Sequence, residues 1–306
     1  MKPHRLLTPV LGATLLLGAC RMGDVTGNLA RNAVGGGRGA GDVIAAAVTG
    51  ITDTYEQMNV KFSPEQEYYL GRGVAAHAIA TYGLDPDESR QAYVRKIGAA
   101  IVEAAPRIRS TYGGYHFAVL NSPTPNGISG PGGFILITRG ALDLARSEDE
   151  VAAVLAHEIA HVSLQHGEAV IRAGNIWKSQ FGALGRVVGA AGGGGKFEST
   201  MATIFADVTT GFTRQLADQG YGSDLEYKAD LEGTYILYDA GYDASSIQKY
   251  LKALPDRPTT AWQAHPESAD RAQHLAAAAT QWGGPFDGGA GFAARLARFR
   301  RTLAIR

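Results

Sequence analysis

The sequence predicts an α+β fold that is mainly helical, in which a small β-sheet accompanies one central helix. Helical patterns occupy most of residues 62–280, whereas strand patterns occupy only Tyr115–Leu120 and Phe134–Thr138, which are rich in β-branched and aromatic residues. The 306-residue chain is 45% hydrophobic and 19% charged, which suits one large globular domain or two small ones.

Charge and cysteine content narrow the possible partners. Lys plus Arg and Asp plus Glu each number 29, so no net charge favours nucleic acid, and we expect no nucleic-acid partner. Cys20 is the sole cysteine, which excludes an internal disulfide.

Residues 1–19 have the order of segments of a bacterial secretory signal. A basic start precedes an apolar run that is too short to span a bilayer. The run ends in Leu17-Gly18-Ala19-Cys20, which resembles the lipobox of bacterial lipoproteins, where cleavage precedes the cysteine and the cysteine receives lipid. We therefore expect a periplasmic protein anchored to a membrane through lipidated Cys20. The alternative is an ordinary signal peptide with an incidental cysteine. Arg21, where aspartate would favour retention at the inner membrane, favours the outer membrane.

The folded domain is expected to follow a tether. Residues 20–61 are Gly-rich and are expected to form a flexible link from the lipid to the domain, which spans residues 62–280. Ser63 and Pro64 mark a helix start, and helices are predicted over residues 64–82 and 87–104.

The small sheet is predicted from the two strand segments. Residues 121–133 between them are rich in turn-forming residues and are expected to form a loop. A short helix over Ala141–Arg146 is expected to lead from the second strand into the central helix.

The central helix carries the clearest chemical pattern. Ser147 and Glu150 form a capping box, and the apolar residues that follow recur mostly at helical spacing, so the helix is expected to be largely buried. His157 and His161 stand four residues apart and project from one face, where two ring nitrogens reach one Zn²⁺. Glu158 is placed to contact a water on that metal. This is the His-Glu-x-x-His pattern of zinc proteases.

The pattern also has a simpler interpretation, because it arises by chance and histidines on helices are often packing residues. A third ligand is needed to distinguish the two. His166 is not a plausible third ligand, because the longer zinc-protease motif has its third histidine six residues after the second, where this chain has Gly167. Gly167 is expected to end the helix. His166 is instead interpreted as compensating the helix dipole.

Residues 170–222 contain two apolar segments separated by a glycine run. Neither reaches the ~20 apolar residues needed to cross a membrane. The two interpretations are a mobile lid between halves of an active site and a plain helical hairpin.

Ser223 to Asp230 supplies the candidate third ligand. Ser223 and Glu226 form a second capping box, which is the structural interpretation of Glu226. The functional interpretation makes Glu226 a zinc ligand, with Asp230 one turn later accepting the free N–H of a zinc histidine. Both interpretations hold together if the cap uses part of the carboxylate.

The C-terminal part is predicted to be helical over residues 231–253, interrupted by Gly241, and again up to about Thr280. Residues 281–306 are predicted to form a Gly-rich linker and a basic helical tail, interpreted as a solvated face or as a contact with a membrane surface.

Four segments resemble, in the same order, motifs of the HtpX/BepA-type zinc metallopeptidases, which are relatives of the CAAX prenyl protease. They are Asn126–Gly133, His157–His161, Glu226–Asp230 and His265–Arg271. The resemblance covers about residues 62–275 and implies a zincin-like metallopeptidase domain of the gluzincin type. The chain departs from the pattern in that Gly127–Gly130 is unusually small and flexible, and in that no tetratricopeptide pattern follows the domain.

The resemblance implies roles for individual residues. One Zn²⁺ per chain is held by His157, His161 and Glu226, Glu158 is the catalytic base, and Asp230 orients His157. The strand Phe134–Thr138, with Phe134, Ile135 and Leu136, is implied to be the edge to which an extended substrate adds as a further strand, with Gly132 and Gly133 allowing close approach.

Two further residues are implied with less defined roles. His265 either donates to the oxyanion or binds the zinc as an autoinhibitory fourth ligand. Arg271 either holds the loop that contains His265 or pairs with a carboxylate.

These observations together predict a zinc-dependent endopeptidase of the bacterial envelope that degrades misfolded or stalled envelope proteins, with unfolded or misassembled chains as substrates. One alternative is a chaperone-like envelope lipoprotein with a latent zinc site, against which the intact Glu158 argues. Another is a structural zinc site, which would need His265 as fourth ligand.

Overall fold

The computed structural model describes residues 62–173, 207–216, 220–254, 268–281 and 292–303. The predicted signal peptide, the tether, most of residues 170–222 and the segment that contains His265 lie outside these residues. Contacts divide the chain into two compact units. The larger unit, Glu67–Ala173 with Thr209–Arg306, contains the sheet, the central helix and the candidate site.

Two helices open the described chain where the sequence predicts them. Helix α1 (Pro64–Tyr82) begins with a capping box in which the side chains of Ser63 and Gln66 each accept a hydrogen bond from the other's backbone amide. Helix α2 (Glu88–Ala104) begins after Asp87, whose carboxylate accepts from the first free backbone amides of the helix.

The sheet has three strands among the described residues, in the order β1-β3-β2. Strands β1 (His116–Leu120) and β3 (Phe134–Thr138) are parallel to each other and confirm both predicted strands. Strand β2 (Gly127–Gly130) is antiparallel to β3 and is joined to it by a 3₁₀ turn, Pro131–Gly133.

Strand β2 lies where the sequence predicts only a loop, so that prediction is wrong for these four residues. Gly127 and Gly130 lower strand propensity. The segment is a strand because its backbone pairs with β3, with Ile128 opposite Leu136. Its small residues also allow close packing: a Cβ at Gly127 would lie 2.1 Å from Oε1 of Glu158.

Helix α3 (Arg139–Leu144) begins two residues before the predicted start, because the Thr138 hydroxyl accepts from the backbone amide of Ala141 and caps the helix there. Helix α4 (Glu148–Ser163) is the predicted central helix. Ser147 caps it by accepting from the Glu150 amide at 3.2 Å. The Glu150 carboxylate accepts from the backbone amide of Arg146, one residue before the one that the capping box predicts.

Helix α4 is the core of the larger unit. Nearly all of its residues from Glu148 to Val162 are buried, which confirms the prediction of a largely buried helix. It packs against the sheet on one side and against the C-terminal helices on the other. The charged residues that it carries are therefore surrounded by protein.

Gly167 does not end the central helix. The chain turns at Gln165, which has a φ of 57°, and enters a new helix, α5 (His166–Ala173). The prediction of Gly167 as a stop signal is therefore wrong, because the left-handed residue that ends α4 is Gln165.

Helix α6 (Ser223–Asp239) and helix α7 (Ser246–Ala253) flank the predicted interruption at Gly241, which has a φ of 73°. The capping box of Ser223 and Glu226 is wrong: α6 starts after Gly222, with no hydrogen bond from a capping side chain. The carboxylate of Glu226 thus points into the protein instead of back at the helix end. Helix α8 (Ser268–Gln281) follows, and it ends close to the predicted end at about Thr280.

The C-terminal tail forms helix α9 (Phe292–Leu303), and it is not simply a solvated face. The guanidinium of Arg295 donates to Asp149 at 2.7 and 3.1 Å, and Arg298 pairs with Glu148. Both acids belong to the first turn of α4 and are buried. The prediction is corrected because these two cations neutralise carboxylates that α4 carries into the core. No helix within the described ranges is both long and apolar enough to cross a bilayer.

Candidate active site

Three potential metal ligands meet between helices α4 and α6. His157 and His161 are one turn apart on α4, with their Nε2 atoms 3.1 Å apart. The Glu226 carboxylate on α6 lies 3.3 Å from His157 Nε2 and 3.7 Å from His161 Nε2. All three side chains are buried, and their ligand atoms lie within 4.8 Å of one another. The predicted ligand set is therefore brought together in space.

This arrangement fits a catalytic zinc ion. Two imidazoles and one carboxylate form a known catalytic zinc donor set, which leaves one coordination position open. Burial by itself lowers the pKa of His157, but hydrogen bonds to Asp230 and Glu226 outweigh it and raise that pKa to about 9. The negative potential that stabilises a proton on His157 also favours a cation at this place.

The second nitrogen of His157 faces a network of charges. His157 Nδ1 lies 2.9 Å from Oδ1 of Asp230, which is the contact that the sequence predicts. Arg271 on α8 donates to both oxygens of Asp230, at 2.6 and 2.8 Å, and its Nη1 lies 3.2 Å from Glu226. Burial raises the pKa of Asp230, but Arg271 and His157 lower it by a larger amount, so the net shift of this pKa is downward. Of the two predicted roles for Arg271, the structure shows pairing with carboxylates.

Glu158 lies beside the cluster and is held by strand β2. The Ser129 hydroxyl donates to Glu158 Oε2 at 2.7 Å. Only a glycine at position 127 leaves space for the carboxylate, as the Cβ distance above shows. Sequence reasoning missed Gly127 and Ser129 as site residues because it assigned them to a loop.

The second nitrogen of His161 faces neutral aromatic groups. His161 Nδ1 lies 2.9 Å from Nδ1 of His166, and the Tyr221 ring stacks on His161 at a centroid distance of 3.9 Å. Burial lowers the pKa of His166 to about 4, with a further contribution from the charge of His157. His166 thus lies at the site, and its interpretation as a helix-dipole residue is corrected, because it is the first residue of α5 and not the last of α4. Tyr221 carried no sequence signal.

The predicted substrate strand is not a sheet edge. β3 is paired on both sides, with β1 and β2, and Ile135 and Leu136 are buried. Gly132 and Gly133 are buried too, with φ values of 69° and 101°. A Cβ at Gly132 would lie 2.6 Å from the Tyr68 backbone, so these glycines serve packing inside the domain and not the approach of a substrate. Phe134 stacks on His116.

The strand that faces the candidate site is β2. The backbone carbonyl of Asn126 accepts from the Thr138 amide on β3. Because successive residues of a strand point their backbone groups to alternate sides, those of Gly127 and Ser129 point away from β3. The Tyr221 hydroxyl donates to the Ser129 carbonyl at 2.6 Å, which agrees with this direction. Burial raises the pKa of Tyr221, so the hydroxyl keeps its proton for this bond.

A cavity of about 50 Å³ opens beside His157 and Glu158. One wall is apolar and comes from α7 and the residue after it, with Ile247, Leu251 and Leu254. His265 and Cys20 lie outside the described residues, so their predicted roles stay predictions.

Comparison with known proteins gives matches to metallopeptidases. Residues 88–279 match the model of Peptidase family M48. The chain is 24% identical over 220 residues to the beta-barrel assembly-enhancing protease of Escherichia coli O157:H7, which covers 70% of this chain and 43% of that protein. It is 26% identical over 168 residues to the metalloprotease LoiP of Escherichia coli K12, which covers 52% of this chain and 61% of that protein.

A third match is short. The chain is 46% identical over 48 residues to the mitochondrial metalloendopeptidase OMA1 of Schizosaccharomyces pombe, which covers 16% of this chain and 14% of that protein. The chain spans less than half the length of the beta-barrel assembly-enhancing protease that it matches.

Proposed function

Because the chain belongs to peptidase family M48, we propose that it is a zinc-dependent endopeptidase of the bacterial envelope. The observation that carries this proposal is the convergence of His157, His161 and Glu226, with the Glu158 carboxylate beside them. Glutamate at the position after the first histidine has no role in a purely structural site, whereas peptide hydrolysis needs a base there.

The proposed chemistry divides between the ion and the chain. His157, His161 and Glu226 would hold a zinc ion, which would act as a Lewis acid and lower the pKa of a bound water towards neutral pH. Glu158 would accept a proton from the attacking water and pass it to the leaving amine. The Ser129 hydroxyl donates to one carboxylate oxygen of Glu158 and so helps to orient this carboxylate beside the metal ligands.

We propose that the substrate binds as an extended strand along β2. The outward backbone groups of Gly127 and Ser129 lie beside Glu158, so a substrate strand there would carry its scissile carbonyl to the site. The Tyr221 hydroxyl would have to leave the Ser129 carbonyl to make room. The apolar cavity next to Glu158 suits an apolar substrate side chain.

The proposed substrates are unfolded or misassembled envelope proteins. Pairing through backbone groups tolerates many sequences, which suits this role. Support comes from the name of the Escherichia coli relative, a beta-barrel assembly-enhancing protease. The predicted signal peptide and lipobox add a periplasmic location, with lipidated Cys20 in the outer membrane.

Casein cleavage by the full chain tests the proposal. We expect the zinc-loaded wild type to cleave casein, and Glu158→Gln to lose about 10²–10⁴-fold in rate while it keeps zinc. Glutamine preserves the shape and can still accept from Ser129. Glu88→Gln, at an exposed carboxylate on α2, is the matched control and should cleave as wild type does. Equal cleavage by wild type and Glu158→Gln would refute the assignment of the base.

A further inference from the structure

We propose that His166 positions His161 for metal binding by accepting a hydrogen bond from its Nδ1–H. This role rests on the metal site of the proposed function. Peptide hydrolysis itself assigns His166 no task, yet its ring is buried and its Nδ1 lies 2.9 Å from Nδ1 of His161.

The direction of this hydrogen bond follows from the other end of the His161 ring. Nε2 of His161 faces His157 and Glu226, so Nε2 is the atom that offers a lone pair to a metal. The proton of a neutral His161 must then lie on Nδ1. Because two nitrogens at this distance need one donor and one acceptor, His166 accepts through Nδ1 and carries its own proton on Nε2.

The backbone is shaped to aim His166 at His161. Gln165 is the one non-glycine residue with a positive φ among the residues that the structure describes. A side chain disfavours this conformation, so the surrounding structure must maintain it. The side-chain amide of Gln165 helps to maintain it, because its Nε2 donates to Glu67 at 3.2 Å and to Glu168 at 2.8 Å. The chain turns at Gln165, and His166 begins α5 directly after the end of α4.

A neutral partner for His161 suits the charges of the site. Glu158, Glu226 and Asp230 bring three carboxylates, which Arg271 and a divalent ion would balance. A carboxylate in place of His166 would add a fourth buried negative charge without a cation to pair with it. An imidazole orients His161 without that charge.

Zinc affinity of the full chain, measured by competition with a chelator, tests the proposal. In His166→Asn the side-chain oxygen takes the place of Nδ1 and can accept the bond, so affinity should stay close to wild type. In His166→Gln the amide reaches the place of Nε2 instead, and in His166→Phe no acceptor exists. We expect both of these variants to bind zinc about 10–100-fold more weakly.

The variants separate positioning from simple packing. Phenylalanine fills the volume of the imidazole, so wild-type affinity in His166→Phe would overturn the proposal. If His166→Phe does not fold, the two amide variants decide, and equal affinity in His166→Asn and His166→Gln would overturn it. Weaker zinc binding in a His166 variant leaves the proposed function intact, as long as the wild-type chain binds one zinc. Absence of zinc binding by wild type would overturn both.

Discussion

The two histidines of the candidate metal centre have opposite surroundings, although they lie one turn apart on the same helix. His157 contacts Asp230, which Arg271 neutralises, so its environment is a network of buried charges. His161 contacts His166 and the ring of Tyr221, so its environment is neutral and aromatic. In the proposed metal centre, the charged side would hold the ion through electrostatics, and the neutral side would orient His161 through shape and one hydrogen bond.

The difference also shows how far each side is encoded locally. Glu226 and Asp230 are four residues apart on α6, so a single helix presents both carboxylates to α4. The neutral side combines a residue of α5 with Tyr221, more than fifty positions later in the chain. Substitutions that remove charge and substitutions that remove shape should therefore differ in their effects on zinc affinity and stability.

The largest effect is expected on the charged side. Asp230→Asn removes the negative charge beside His157 and leaves Glu226 as the carboxylate that pairs with Arg271. Zinc affinity should fall about 10–100-fold. The protein should lose roughly 3 kcal/mol of stability because a buried cation loses a partner. Chelator competition and urea unfolding measure the two effects.

The control for that variant is Asp224→Asn, an exposed carboxylate in the first turn of the same helix, which should change neither quantity. Wild-type zinc affinity in Asp230→Asn would contradict the idea that the charged side orients His157.

Charges at the other end of α4 should affect the stability of the protein without affecting its zinc affinity. Arg295→Gln leaves the buried carboxylate of Asp149 without its guanidinium partner and should cost about 3 kcal/mol in urea unfolding. Zinc affinity should be unchanged, since this pair lies in the first turn and the ligands lie in the last turns. Arg300→Gln, at an exposed position of α9, is the control and should unfold as wild type does. A parallel loss of zinc affinity in Arg295→Gln would show that the ends of the helix are coupled.

A smaller effect is expected from pH near the neutral side. Burial, together with a hydrogen bond to Glu67 and repulsion from its charge, raises the pKa of Glu168 from the usual 4.5 of a glutamate to about 7. The folded protein therefore binds a proton that the unfolded chain has released, and stability falls as pH rises from about 4.5 to about 7. Glu168→Gln removes this loss.

Between pH 5 and pH 8, the free energy of unfolding should decrease by about 2 kcal/mol more in wild type than in Glu168→Gln. Urea titrations at both pH values measure the difference. An identical decrease in both proteins would contradict the raised pKa, and with it the close contact of Glu67 and Glu168.

The sequence was most informative where the chemistry is local. Helices α1, α2 and α4 and strands β1 and β3 were predictable from spacing and capping, and so was the placement of His157 and His161 on one face of α4. Glu226 was a candidate ligand beside a capping role that the structure contradicts, and the resemblance implied its place in the metal site. Family M48 membership was also predictable from the motifs.

The features that sequence reasoning missed depend on tertiary contacts. Strand β2 exists because β3 pairs with it, against the propensity of Gly127 and Gly130. His166 faces His161 because Gln165 adopts a left-handed conformation, which no pattern indicates for glutamine. The charge of Arg295 is used inside the protein because α9 packs on α4, and that packing is not visible in an amphipathic pattern.

Zinc titration of the full chain beside Glu226→Gln tests the central claim that these three side chains form a metal centre. Glutamine keeps the shape of the side chain and removes the charge that a zinc ligand needs. One tightly bound zinc per wild-type chain is predicted, with a loss of affinity in a folded Glu226→Gln protein that exceeds the loss in Asp230→Asn. Equal zinc affinity in wild type and Glu226→Gln would contradict the claim and would leave Glu226 as a structural partner of Arg271.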